Sequence, residues 1–198
     1  VDLDRDSDPR VTWPAMEPTP KPRQMLLVQG QRISRAPVRF AQERPLGLAL
    51  AGRVVTVLMA TPGQERELAL GYALTMGWTD YQATPPGAIF DPEQGRVDLD
   101  LTVPPGLLGG ARAAGGGLLG PLEAAPLPPE GGLELAVLRG LTSALSQAQV
   151  LYPATRGTHA AALFEARGGL LALAEDVGRH NALDKAIATA RPGDFIAA

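Results

Sequence analysis

The apolar run Leu170-Leu171-Ala172-Leu173-Ala174 passes directly into eleven polar-rich residues, Glu175-Asp176-Val177-Gly178-Arg179-His180-Asn181-Ala182-Leu183-Asp184-Lys185. Beyond them Leu183, Ala186, Ile187 and Ala190 recur at the three- and four-residue spacing of a helix face. The pattern predicts a strand, a tight turn at Gly178 and a helix, with Asn181 or Asp176 available as its cap. That unit confines the chain to folds in which helices pack on a sheet. In such folds ligands gather where a strand ends and the next helix leaves its first N–H groups free. This stretch is therefore the first place to look for function. A polar turn whose charges pair with one another would account for the same composition.

The residues before it point to the same end of a sheet. Segments 160–164 and 170–174 predict a hairpin turning at Arg167-Gly168-Gly169. In that hairpin His159 opens one strand and Glu175 closes the other. Arg156, His159, Glu175, Asp176, Arg179 and His180 would then converge on one edge.

Further upstream, Met25-Leu26-Leu27-Val28 and the residues around Val38-Arg39-Phe40 suggest short strands. Segments 46–50 and 54–59 form a hairpin through Gly52-Arg53. Thr61 is placed to cap a helix with Pro62 at its first position, and Gly77 marks that helix's end. Segment 88–103 gives a second hairpin, turning between Pro92 and Gly95, and 133–149 a helix interrupted by Gly140. The expected organisation is a mobile tail (1–24), an N-terminal α+β subdomain (25–103), a Gly/Pro-rich loop or linker (104–132) and an α/β domain (133–198). Asp194-Phe195-Ile196-Ala197-Ala198 resembles the start of another buried strand, so that last domain is expected to be incomplete.

Composition removes several classes of chemistry. The 198 residues contain no cysteine and two histidines, which excludes disulfides, thiolate metal sites, a Cys nucleophile and a three-His metal site. A formal net charge of -3 argues against a general nucleic-acid surface. No run reaches membrane-spanning length and no signal-peptide pattern opens the chain, so the expectation is a cytoplasmic protein without membrane contact. Gly115-Gly116-Gly117-Leu118-Leu119-Gly120 satisfies G-x-G-x-x-G, but Pro121 follows and no helix pattern opens there, so the match is weak.

The assembled residues resemble the formate dehydrogenase accessory (FdhD/NarQ) family. Residues 175–185 are close to that family's hallmark. Thr155-Arg156-Gly157-Thr158-His159-Ala160-Ala161 is similar to its Thr-Gly-Gly-x-His-Ala element, and Leu58-Met59-Ala60-Thr61-Pro62-Gly63 with Glu67-Leu68-Ala69-Leu70-Gly71-Tyr72 to a third. All three lie in the family's order, over roughly 44–187. The resemblance implies a cytidine deaminase-like three-layer α/β domain, without zinc, plus a smaller N-terminal α+β subdomain. It implies a homodimer that moves sulfur, as a persulfide, from a cysteine desulfurase to the molybdenum of a bis(molybdopterin guanine dinucleotide) cofactor and so activates molybdenum-dependent formate dehydrogenase. The guanine nucleotide parts, or a free guanine nucleotide in their stead, would bind at the polar sheet end through Arg156, His159, Asp176, Gly178, Arg179, His180 and Asn181.

Three departures qualify this. The family's sulfur-carrying loop, Cys-Gly-x-Cys-Gly, corresponds to Gly116-Gly117-Leu118-Leu119-Gly120, so Gly116 and Leu119 stand where the cysteines belong. A persulfide requires a thiolate, and no residue here supplies one. Arg156 stands where the family has glycine, and the family continues past the last residue here. The favoured expectation is cofactor or guanine-nucleotide binding without sulfur transfer, no catalytic residue and no tightly held metal. In it Arg156 and Arg179 pair with phosphate oxygens, while His159, His180 and Asn181 hydrogen-bond phosphate or base edges. Amides around Gly178 contribute at the helix start. Asp184 and Lys185 would pair with each other or fix the preceding loop. The alternatives are a cysteine supplied by a partner chain, and a decayed structural paralogue in which Asp176, Arg179 and His180 satisfy one another.

Overall fold

Alternation and turn glycines organise the first half of the chain. The computed structural model describes residues 22–79, 86–103 and 134–189. Strands β1 (Arg23–Gln29) and β2 (Arg32–Val38) form an antiparallel hairpin turned at Gly30, whose φ is 60°. The second strand thus ends at Val38 instead of centring on Val38-Arg39-Phe40, because the Gly30 turn fixes where the chain reverses. Strands β3 (Arg44–Leu50) and β4 (Arg53–Ala60) follow, turned by Ala51 and Gly52 with φ of 48° and 76°. Two successive positive-φ residues are what a tight hairpin demands. Helix α1 (Glu65–Thr75) is next, then the hairpin of β5 (Gly87–Asp91) and β6 (Arg96–Asp100).

The two hairpins are joined by a parallel pairing of β3 with β6, giving the order β4-β3-β6-β5. Strand alternation puts Leu46, Leu48, Val97 and Leu99 on one face, where Leu68, Ala69, Tyr72 and Ala73 of α1 bury them. Trp78 closes this core edge-on against Tyr72, ring centroids 5.3 Å apart.

The start of α1 corrects the sequence expectation. The helix begins at Glu65, after Gln64 at φ 59°, and no side chain caps it. Glu65 Oε1 instead accepts the Gly63 N–H at 2.8 Å. Thr61 is not the cap because its hydroxyl is committed elsewhere.

The second half contains α2 (Leu135–Ala148), a short α3 (Leu151–Thr155), strands β7 (His159–Phe164) and β8 (Leu170–Asp176), and α4 (Arg179–Thr189). The β7–β8 hairpin forms as the sequence suggests, but His159 pairs with Asp176, one residue beyond the Glu175 expected to close the strand. Helix α3 has no counterpart in the sequence expectation: five residues including Pro153 carry too little periodicity.

Helices α1 and α4 cross at very close range. A Cβ on Gly71 would lie 1.9 Å from the Asp184 carbonyl oxygen, and Ala182 and Ala186 are buried beside it. The two segments expected as separate units, 25–103 and 133–198, therefore meet, among the described residues, through the small residues of α1 and α4. Of the expected tail 1–24, Arg23 and Gln24 open β1, while residues 1–21, the whole Gly/Pro-rich segment 104–132 with Gly116 and Leu119, and the suggested strand at 194–198 lie outside the described residues.

Candidate functional site

Asp176, the last residue of β8, is fully buried, and both carboxylate oxygens are occupied. Oδ2 accepts the Thr61 N–H at 2.9 Å and pairs with Lys185 Nζ at 2.8 Å; Oδ1 accepts the Gly178 N–H at 2.8 Å and Asn181 Nδ2 at 3.2 Å. Lys185, 1% exposed on its side chain, also donates to the Thr61 carbonyl at 2.7 Å. Thr61 completes the knot when its Oγ1 accepts the Val177 N–H at 3.0 Å. Asn181 Nδ2 further donates to Met59 O at 2.8 Å. The chain segment after β4, the end of β8 and the start of α4 are thus tied together. A buried ion pair offsets its desolvation only when its remaining hydrogen-bonding capacity is met, as it largely is here.

Glu175 precedes Asp176 and, by strand alternation, faces the opposite way. It is buried too, accepting the N–H groups of Val150, Leu151 and Tyr152 at 2.6–2.7 Å and the Thr158 hydroxyl at 3.2 Å. A carboxylate on the first amides of α3 satisfies donors that have no partner within the helix and meets the positive end of its dipole. This orients α3, whose end is Arg156. Arg156 holds φ 55°, donates its N–H to Tyr152 O at 2.7 Å, and lays its guanidinium 5.3 Å from the Tyr152 ring centroid. The left-handed backbone explains why glycine suits this position, since a side chain there is strained.

The seven residues singled out from the sequence therefore divide. Asp176 has no surface to offer a ligand, which makes it the holder of the loop. Asn181 spends its amide N–H on Met59 and Asp176. Gly178 and Val177 have committed their N–H groups, so the amides expected to greet an anion are not these two. Arg156, His159 and Arg179 are exposed and His180 is half-buried; His159 lies opposite Asp176 at the sheet end from which α4 leaves, whereas Arg156 ends α3 on the Glu175 side. Among the described residues the N–H groups of His180 and Asn181 have no acceptor. Lys185 fixes the preceding loop and does not pair with Asp184, whose Oδ1 accepts the Thr75 hydroxyl at 3.0 Å across the α1–α4 crossing. Thr61 escaped identification as a site residue, although it sits in the third motif. Its partners lie more than a hundred residues away.

Chemically the outer set offers two guanidiniums, two imidazoles and a helix N-terminus, which suits a phosphate-bearing ligand. It holds no nucleophile. Among the described residues no group of three His, Asp or Glu side chains could hold a metal ion, and no helix is long and apolar enough to cross a membrane.

A family model described as the FdhD/NarQ family matches residues 41–192. The chain is similar to the sulfur carrier protein FdhD of Mycolicibacterium paratuberculosis, 35% identical over 195 residues, covering 87% of this chain and 71% of that protein. With the sulfur carrier protein FdhD of Nocardia farcinica it shares 34% identity over 167 residues, or 75% of this chain and 60% of the relative. A crystal structure described as a formate dehydrogenase accessory protein from Desulfotalea psychrophila has the same fold, with TM-score 0.67 at 24% identity over 87% of this chain and 68% of that one.

Proposed function

The chain belongs to the FdhD/NarQ family, and from that premise we propose that it binds the guanine nucleotide parts of a molybdenum bis(molybdopterin guanine dinucleotide) cofactor without carrying sulfur. One observation carries this reading: exposed Arg156, His159 and Arg179 and half-buried His180 lie at the sheet end that a buried, satisfied polar knot holds. The donor set fits the group, because guanidinium forks match phosphate oxygens and helix amides add further donors. Arg179 and Arg156 hold phosphate, and His159 and His180 hydrogen-bond phosphate or a base edge. The cofactor supplies the metal that sulfur is delivered to. These 198 residues supply binding and orientation alone, since they contain no thiolate on which a persulfide could form.

On this reading the protein is a cytoplasmic homodimer with the family's cytidine deaminase-like layering. It works beside the cysteine desulfurase and the molybdenum-dependent formate dehydrogenase that its sulfur-carrying relatives connect.

Calorimetric titration with GDP, run beside Arg179→Ala, tests it. Saturable micromolar binding, worth about -8 kcal/mol, that the substitution abolishes supports the cofactor site. Absence of heat at any reachable concentration sinks it in favour of a structural paralogue, for which the self-satisfied Asp176 network already speaks.

A further inference from the structure

The β1–β2 hairpin packs on itself and makes no extensive contact with any other described element. Leu26, Val28 and Ile33 share one face by register and are 65, 64 and 67% exposed. A two-stranded hairpin is marginal in water by itself, and one that exposes aliphatic side chains this fully lacks a cover. Its charge is one-sided. Residues 22–42 contain no Asp or Glu, while Arg23, Arg32, Arg35 and Arg39 are all exposed. Among the described residues none of the four makes an ion pair.

A complementary surface lies elsewhere on the same molecule. Helix α1 covers one face of the β4-β3-β6-β5 sheet, and no described helix packs on the other. That outer face presents Val57, Met59 and Ile89, each more than half exposed. Asp98 lies beside Ile89 in the register, with Asp91 and Asp100 next along β5 and β6, and Arg96, in the row of Val57, is the one cation on the same side of β6. Arg96 Nε takes Asp98 Oδ2 at 2.9 Å, and Asp98 Oδ1 is buried with no hydrogen-bond partner.

We propose that the hairpin of one copy of this chain seats on the outer sheet face of a second copy, with Leu26, Val28 and Ile33 against Val57, Met59 and Ile89 and Arg35, which shares the hairpin's apolar face, against Asp98 and Asp100. Each molecule carries one hairpin and one such face, so a two-fold exchange satisfies both at once. The proposal rests on the homodimer named above and assigns its contact.

Sedimentation of the full chain at micromolar concentration tests it. Arg35→Glu and Asp98→Lys/Asp100→Lys should each weaken self-association at least tenfold. Mixed, the two variants should form a heterodimer, because both of its contacts are again between opposite charges. Because the chain has no thiol of its own, Ile33→Cys mixed with Ile89→Cys should give an intermolecular disulfide even if a charge reversal damages folding. A dimer indifferent to both reversals, with no such disulfide, overturns this contact and leaves the homodimer standing. A wild-type monomer overturns both, whatever the GDP titration gives. An intramolecular disulfide between Ile33→Cys and Asp4→Cys would assign the hairpin to the acid-rich 1–21 and likewise overturn the exchange.

Discussion

Asp176 and His159 face each other across the β7–β8 register, yet they belong to different kinds of chemistry. Asp176 has four donors on its two oxygens and no exposed surface. His159, with Arg156 and Arg179, stands in solvent. A single polar motif thus contains an inner part that fixes the backbone and an outer part that can meet a ligand. A carboxylate in a candidate binding motif can serve the motif's shape alone, and burial decides which role it has.

The sharpest way to break this division is at its centre. Lys185→Met leaves the Asp176 carboxylate buried without its cation and should cost about 3–5 kcal/mol of stability in urea denaturation. Asp176→Asn added to it should return part of that loss. A cost below about 1 kcal/mol for Lys185→Met would mean the knot is not the anchor. Glu175→Gln comes next, at about 2 kcal/mol, because an acceptor of four donors loses its charge and places an NH₂ against N–H groups. If α3 keeps its protection from hydrogen exchange in that variant, Glu175 does not hold it.

The outer residues should behave in the opposite way. Arg179→Ala and His159→Ala should leave unfolding within about 0.5 kcal/mol of wild type. Each should weaken GDP binding at least tenfold, or about 1.4 kcal/mol. Loss of stability without loss of affinity would move these residues to the inner class. The smallest effect belongs to Arg156→Gly. Relief of a left-handed backbone is worth about 1–2 kcal/mol. Against it stand the freedom glycine loses on folding and the lost stacking on Tyr152, each about 0.5–1 kcal/mol. Thermal unfolding should barely move, and a change in GDP affinity alone would show that the guanidinium reaches the ligand.

Much of the local architecture was legible from sequence. The strand, turn and helix from Leu170 to Thr189, and the placing of His159 beside the end of β8, follow from alternation and from Gly168, whose φ is 89°. What was hidden is long-range. The parallel pairing of β3 with β6 leaves no mark in either strand's own pattern. Thr61 presented itself as a helix cap, a role its hydroxyl could have filled locally. The Val177 N–H claims it from 116 residues away. Glu175 and Asp176 are adjacent carboxylates of similar chemistry. Only the packing shows that one serves the first amides of α3 and the other the start of α4.

The Lys185-to-Thr61 hydrogen bond closes a loop spanning 124 positions. The knot must therefore wait until α4 has been made, whereas α1 and its four-stranded sheet can form earlier in synthesis. The entropy of that closure grows only logarithmically, so doubling the loop would cost about 0.6 kcal/mol. The Gly/Pro-rich segment with Gly116 and Leu119 lies inside this loop in sequence. Substitutions and insertions there can accumulate with little penalty on the closure. Changes in that segment and persistence of the knot are thus thermodynamically separable.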